Sequence, residues 1–484
     1  MRLDLLVERS LVGTGLLLAV DGDATVEITS VSLDSRGVGR EALFACLPGL
    51  RTDGHDHAHV AVAEGAVALL CERPLDLGVP QVIVSSARAA LGPVAAALHS
   101  WPSEDLVVVG VTGTNGKTTT VSLLASVFEV YGWKAASLGT LTQARTTPEA
   151  PELQERLAGF RRDGFRAVAM EVSSHALHQH RVDGVRFAAG VFTNLTRDHL
   201  DYHPSMEDYF AAKARLFERG RCGVAVVNRD DPYGQRLIET LGASGLPVAT
   251  FGAGDAEELS VGPAGSRFRW RGEEVSLALG GRFNVANALA AATAAEALHV
   301  PPADVAAGIS AVSSVPGRFE RIDAGQDFTV LVDYAHTPDG LQRALSAARE
   351  LTSGRLVVVF GAGGDRDQEK RPEMGRVAAS IADLAVVTSD NPRNEDPGAI
   401  IAQVVAGAAD PEKLRVVPDR AEAIETAIWV AGAGDVVVVA GKGHESGQEV
   451  RGQVRPFSDA EVTRRSLERL LARRAELRRG RAGW

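Results

Sequence analysis

The chain holds few of the features that would place it outside a reducing compartment or on a polyanion. Three cysteines, Cys46, Cys71 and Cys222, are scattered through 484 residues without C-x-x-C spacing. That excludes a disulfide framework and a cysteine-built zinc site, and each thiol reads as a small core residue. Basic residues are outnumbered, 51 against 62 acidic, giving a net charge of −11 with no long basic run. A nucleic-acid partner is therefore not expected. No apolar run approaches the roughly 18 residues of a membrane span. The apolar stretch 11–20 follows Asp4 and Glu8 and lacks a clean small-residue cleavage site, so it reads as folded chain, not as a signal peptide. The expectation is a cytoplasmic protein. What is present is 45% hydrophobic and 23% charged residues, enough for two to four domains at roughly 100–200 residues each.

The chain is organised around Gly110-Val111-Thr112-Gly113-Thr114-Asn115-Gly116-Lys117-Thr118-Thr119-Thr120. An apolar run at 106–109 predicts a buried strand before it, and apolar residues at helical spacing over 121–130 predict a helix after it. Strand, glycine-rich turn and helix is the setting of a phosphate-binding loop, whose backbone N–H groups and helix N-terminus face phosphate oxygens. Lys117 would reach the β- and γ-phosphates, and the Thr118 hydroxyl would bind Mg²⁺. The general pattern asks for glycine at 111, where this chain has Val111.

Residues 1 to about 100 read as a small α/β unit with strands at 26–31, 42–47 and 66–70. A polar, proline-containing stretch at 99–105 reads as a linker. In the next two units, apolar runs end in polar or glycine-rich clusters. The run 165–170 ends in Glu171-Val172-Ser173-Ser174-His175. The run 187–193 ends in a loop carrying Asp198, His199 and Asp201, and 223–227 ends at Asn228. An alanine-rich helix opens at Gly281 and runs to about 298. After Pro316-Gly317-Arg318, runs at 328–332, 356–360, 384–388 and 435–440 end respectively in Asp333-Tyr334-Ala335-His336, Gly363-Gly364-Asp365-Arg366, Asp390-Asn391-Pro392-Arg393 and Gly441-Lys442-Gly443-His444-Glu445. Continuous apolar runs alternating with helices predict parallel sheets covered on both faces. Ligands of such sheets sit at the carboxyl ends of the strands. The stretch 459–479 predicts a charged amphipathic helix with a solvated face.

Glu171 at a strand end could hold Mg²⁺ beside Thr118, and His199 could hold a second ion or orient phosphate. Lys213, on a predicted helix, reads from its surroundings as a surface lysine. Arg366 and Arg393 with Glu445 suit a ligand carrying both a carboxylate and an amine. The residues themselves thus point to an ATP–Mg²⁺ enzyme that activates a carboxylate for attack by an amine.

Taken together, Gly113 to Thr118, the clusters at 171–175 and 193–203, Asn284 with Asn287, Asp333 to His336 and Gly441 to Glu445 resemble the Mur ligases, the amide-forming enzymes of peptidoglycan precursor synthesis. The resemblance implies an α/β protein of three domains. These are a UDP-sugar-binding domain (1–102), a central P-loop ATPase-like domain with a parallel sheet (103–315), and a Rossmann-like C-terminal domain binding the incoming amino acid (316–484). Asp390-Asn391-Pro392-Arg393 is similar to the signature of diaminopimelate-adding members. A guanidinium can grip the distal carboxylate of that amino acid but would repel the ammonium of lysine. The resemblance implies that Gly113, Thr114, Asn115, Gly116, Lys117, Thr118, Thr119, Asn284, Asn287, Arg318, Asp333 and Tyr334 bind ATP. It places Leu33, Ser35, Leu50, Arg51 and Thr52 at the UDP moiety, and Thr146, Thr147, Ser173, Gln179 and Arg181 at the muramoyl-dipeptide. Arg366, Asp390, Asn391, Pro392, Arg393, Gly441 and Glu445 fall at the amino acid. Lys117, Glu171, His199 and Lys213 are the implied catalytic set. Thr118, Glu171, His199 and a carbamylated Lys213 are the implied Mg²⁺ ligands. Relatives often have asparagine where this chain has Arg145. A monomer is expected. A lysine-adding ligase, a folylpolyglutamate synthase-like ligase and a regulatory P-loop NTPase are the alternatives.

Overall fold

The computed structural model describes residues 1–49, 52–143, 145–262 and 264–481. Three larger sheets follow one another along the chain. The first has five strands in the order Leu17–Asp21, Gln81–Val84, Ala66–Cys71, Ala42–Ala45 and Ser30–Ser32, parallel except for the antiparallel edge strand Leu17–Asp21. The strand expected over 26–31 is thus confined to Ser30–Ser32.

The second sheet is wholly parallel, in the order Val248–Phe251, Cys222–Asn228, Phe187–Phe192, Val107–Thr112, Ala167–Glu171 and Ala135–Leu138. Its strands feed two cores by the alternation of strand side chains. Val109 and Val111 pack with the helices Lys117–Val130 and Arg282–Ala297, whereas Val108, Val168 and Met170 pack with the helix Ala150–Arg162. Each fully buried valine or leucine contributes about 1.5–3 kcal/mol, and because both faces are covered a one-residue register slip would move every side chain into the opposite core, where it does not fit. Chain order reverses about Val107–Thr112, which has later strands on either side. That reversal opens the crevice in which open α/β sheets hold ligands. A small antiparallel sheet, Glu257–Gly262, Gly265–Trp270 and Glu273–Leu277, closes one core with Phe268 and Trp270.

The third sheet runs Glu320–Arg321, Thr329–Asp333, Val436–Ala440, Leu356–Phe360, Leu384–Val387 and Leu414–Val416, parallel apart from the first, two-residue strand. Leu356, Val358 and Phe360 face one core, and Val357 and Val359 the other. The C-terminal helix Asp459–Arg481 is less solvated than its charge suggests, because Asp459, Val462, Thr463, Ser466, Leu467 and Leu470 are all buried. No helix among the described residues is long and apolar enough to cross a membrane.

Candidate active site

The phosphate loop leaves the strand Val107–Thr112 and enters the helix Lys117–Val130 directly. Val111 needs no glycine freedom because it is still in the strand, fully buried and paired with Glu171. The turn is made at Gly113 and Gly116, with φ of 149° and 88°. A Cβ at Gly116 would collide with the Asn287 side chain and one at Gly113 with Thr193, so both positions require glycine for conformation and for space. Lys117 folds back and donates to the carbonyls of Gly113 (2.9 Å) and Thr114 (2.8 Å). Burial lowers its pKa, opposed by the nearby charges of Glu171 and Asp198.

A cavity of about 650 Å³ opens over this loop. Thr114, Asn115, Gly116, Lys117, Thr118 and Thr119 line it, together with Glu171, His199, Lys213, Asn287, Arg318, Asp333 and Tyr334. Asn284 does not. It is fully buried, donates to Gly280 O and accepts from Asn287 Nδ2 at 3.1 Å, holding its neighbour in place. Glu171 is 2% exposed and takes both Thr140 bonds, from N–H at 2.8 Å and Oγ1 at 2.9 Å, on Oε1. Arg318 stacks over the Tyr334 ring at 4.5 Å. Asp333 accepts from the backbone N–H groups of Phe319 and Ala335, and burial raises its pKa.

Lys213 is not the surface lysine suggested by its stretch of sequence. It is 1% exposed, donates to Gly113 O at 2.8 Å and lies over the Tyr209 ring at 4.6 Å. Burial, reinforced by Lys117, drives its pKa well below the ordinary value. His199 adopts a left-handed conformation (φ 54°) and meets the His175 ring edge-on at 4.9 Å. Partial desolvation at the mouth of the cleft, where the side chain is still 43% exposed, together with Lys213 and Lys117 nearby, lowers its pKa to about 4 against the pull of Asp198. The imidazole is therefore neutral at pH 7 and can serve as a ligand.

Thr118, Glu171, His199 and Lys213 border the one cavity. Among the described residues no group of three or more His, Cys, Asp or Glu could cage a metal alone. The donor set of one hydroxyl, Thr118, and one carboxylate, Glu171, at the same cavity fits Mg²⁺, which keeps waters and phosphate oxygens in its shell and needs only one or two carboxylates.

A larger cavity of about 1400 Å³ adjoins the first, sharing Thr140, Ser173, Asp198, His199, Tyr334 and His336 with it. The wall contributed by the second sheet's unit carries Thr146, Thr147, Ser173 and Arg181, and that contributed by the third sheet's unit Arg366, Asp390, Asn391, Arg393, Gly441 and Glu445. Gln179 and Pro392 stand behind these walls, Gln179 accepting from Arg181 Nη2 at 2.6 Å. Leu33, Ser35 and Thr52 line neither cavity, and Leu50 and Arg51 lie outside the described residues.

Sequence reasoning passed over the groups that hold these residues. Lys442, fully buried, donates to Asn391 Oδ1 and Glu445 Oε2, both at 2.9 Å. Lys442 and the bond from Asn391 Nδ2 help to hold the Glu445 carboxyl below its usual pKa against the opposing effect of burial. Behind them Arg420 grips Asp459 at the start of the C-terminal helix through Nε (2.7 Å) and Nη2 (2.6 Å), both side chains fully buried. The same guanidinium donates to Ala440 O at 2.9 Å and Ser389 O at 3.4 Å, the residues that lead into Gly441 and Asp390.

Asp339, on the helix Pro338–Glu350, accepts from Asn115 Nδ2 at 3.0 Å and Thr196 Oγ1 at 2.8 Å, joining the third sheet's unit to the phosphate loop. Glu149 receives Arg88 at 2.8 Å, Arg181 at 3.1 Å and Arg145 at 3.3 Å. Arg145 thus lines the larger cavity while pairing with that carboxylate.

The comparisons with known proteins agree with this geometry. Residues 27–100 match the Mur ligase family, catalytic domain, residues 111–295 the Mur ligase middle domain, and residues 317–443 the Mur ligase, glutamate ligase domain. A UDP-N-acetylmuramoyl-L-alanyl-D-glutamate–2,6-diaminopimelate ligase from Syntrophomonas wolfei is 44% identical over 467 residues, 91% of this chain and 95% of the relative. The protein of that name from Streptomyces avermitilis is 44% identical over 484 residues, 94% of this chain and 95% of the relative. A solved structure of a ligase with the same name superposes with a TM-score of 0.68 at 33% identity, covering 93% of this chain and 97% of that one. With three matched regions laid end to end and relatives similar over nearly their whole length, the chain belongs to the Mur ligase family.

Proposed function

We propose that this protein is the ATP-dependent ligase that joins 2,6-diaminopimelate to the D-glutamate γ-carboxylate of UDP-N-acetylmuramoyl-L-alanyl-D-glutamate, in peptidoglycan precursor synthesis. The observation that carries the reading is the pair of continuous cavities. A phosphate loop borders one, and the other is walled by Thr147, Ser173 and Arg181 on one side and Arg366, Arg393 and Glu445 on the other.

In this reading the γ-phosphate of ATP passes to the D-glutamate carboxylate, giving an acyl phosphate. The diaminopimelate amine then attacks the acyl carbon through a tetrahedral intermediate and phosphate leaves. Lys117 lies at the loop where negative charge develops on the γ-phosphate, in a cleft that strengthens its field. Arg181, with Nη1 held by Thr147 O at 3.0 Å, offers a fixed cation to the carboxylates of the dipeptide. Arg366 and Arg393 take the distal carboxylate of the amino acid, and Glu445 its ammonium. Thr118, Glu171, His199 and a modified Lys213 would hold Mg²⁺, which when bound neutralises phosphate charge. The buried Lys213 amine, whose pKa burial holds well below the ordinary lysine value, is suited to add CO₂ with loss of a proton, giving an N-carboxylate in place of a cation. The first 102 residues take the UDP moiety in this scheme. A cytoplasmic monomer completes the reading.

The test is phosphate release from ATP with the UDP-muramoyl-dipeptide and either diaminopimelate or lysine. The expected result is release with diaminopimelate and at least about 100-fold lower kcat/KM with lysine, since lysine forgoes one or two charge-assisted bonds and meets a repulsion in their place. Equal rates with lysine would refute the amino-acid assignment, and equal release with no acceptor would refute the ligase. Labelling with ¹³CO₂ checks Lys213 separately: a carbamate resonance absent from Lys213→Ala is expected.

A further inference from the structure

Of the chain's 51 basic residues only six are lysines, at positions 117, 134, 213, 370, 413 and 442. Arginine serves nearly every solvated cationic position, so a lysine inside the cleft is not explained by the chain's ordinary usage. Lys134 and Lys413 cap backbone carbonyls of Asp163 and Ala379 outside the cleft. Lys117, Lys213 and Lys442 have the places described above. Lys370 is left without one.

Lys370 opens the helix Lys370–Ile381 and lines the larger cavity. Its one hydrogen bond among the described residues is to the His336 carbonyl at 3.2 Å, and His336 borders both cavities. Burial lowers the Lys370 pKa, and the nearby carboxylates of Asp198, which also borders both cavities, Asp390 and Asp367 oppose that effect. Among the described residues none of these carboxylates forms an ion pair with it. The ammonium is thus tethered at the seam between the nucleotide side and the amino-acid side, with donors to spare, where a phosphoryl group must pass from one cavity to the other.

We propose that Lys370 is a further catalytic residue, whose ammonium donates to the phosphoryl oxygens of the acyl phosphate as it forms and as the amine displaces it. In the second step the amine lone pair makes the C–N bond. The C–O bond to phosphorus breaks with its electron pair passing to the departing inorganic phosphate, and the amine's proton is lost to water. A point-like ammonium with three rotatable donors can follow a phosphoryl group across the seam. A rigid guanidinium fork cannot do so equally well, which gives a reason for lysine at this position. The proposal rests on the ligase reading given above.

The experiment compares wild type, Lys370→Met and Lys370→Arg, full length, in steady-state kinetics. It adds positional isotope exchange of β,γ-bridge ¹⁸O in ATP with the UDP-muramoyl-dipeptide and no amine, which reads acyl phosphate formation alone. For Lys370→Met the expected result is a fall in kcat of about 10²–10³, the cost of one donor to a developing oxyanion. Isotope exchange falls in parallel, and KM for all three substrates stays within about threefold. Lys370→Arg keeps the charge and carries the comparison should the methionine variant lose its thermal transition; its kcat falls at least about tenfold with KM held. Unchanged kcat, full activity with arginine, or a loss confined to the KM for diaminopimelate with exchange intact would overturn the proposal. A wild type that neither exchanges isotope nor releases phosphate would instead sink the ligase reading itself.

Discussion

Replacing Arg420 by methionine should damage the amino-acid site from behind, and its magnitude can be worked from the pair it makes. Arg420 and Asp459 are both fully buried and joined by two charge-assisted bonds. Removing the cation leaves a carboxylate in the core with nothing to neutralise it, a loss of about 3–5 kcal/mol. The carbonyls of Ala440 and Ser389 lose a donor as well, adding about 1 kcal/mol each where no water replaces it. A domain of this size shifts its midpoint by about 2–4 °C per kcal/mol, so its thermal transition should fall by about 10 °C or more. Because Ser389 and Ala440, which lose that donor, lead into Asp390 and Gly441, the KM for the amino acid should rise. Because a buried ion pair contributes little net stability over apolar residues of similar volume, Arg420→Met combined with Asp459→Leu should recover most of the loss. Calorimetry of wild type, single and double variants, with diaminopimelate KM alongside, checks this. A single variant within about 2 °C of wild type, or a double variant no better than the single, would refute the reasoning.

Arg393→Ala should raise KM for diaminopimelate roughly 10- to 100-fold, the worth of one charge-assisted bond, with KM for ATP unchanged in the same assay; parallel losses in both would count against its placement. Asp339→Ala removes the acceptor shared by Asn115 and Thr196, and solution scattering should show a more extended nucleotide-bound particle than wild type, with kcat reduced. The Glu395 carboxyl, gripped by Arg371 through two bonds, titrates at about 2 instead of 4.5. A depressed carboxylate contributes stability that is present above the unfolded pKa and lost as pH falls through the folded one, so the fall lies between about pH 5 and 2. Glu395→Gln should flatten that acid limb in a pH series of thermal midpoints.

The phosphate loop was legible because its determinants are local: three glycines, a lysine and a threonine between a strand and a helix. Glu171, His199, Asp390 and Arg393 were legible because each ends an apolar run, and parallel strands gather their ends at one edge. Lys213 was not. Its burial depends on Gly113 O, 100 residues earlier in sequence, and nothing in its own helix signals that partner. Asp339 is likewise 224 residues from Asn115. Arg420 and Asp459 look like two surface charges until the C-terminal helix is docked. The antiparallel strands at 257–277 escaped a search for continuous apolar runs, since only alternate residues, Ser266, Phe268 and Trp270, turn inward. Lys442 sat inside a motif already singled out, but nothing local marks it as a buried support and not a group that meets the ligand.

Glu149 ends up as a pin for three arginines. Arg88 reaches it from the first sheet's unit, and Arg181 and Arg145 from the lining of the larger cavity. Any outward swing of the leading unit would draw on the same carboxylate that fixes Arg181, so that motion and the placement of the Arg181 guanidinium in the larger cavity would be mechanically coupled. A compound wedged beside this pin would therefore loosen substrate capture without ever entering the nucleotide pocket.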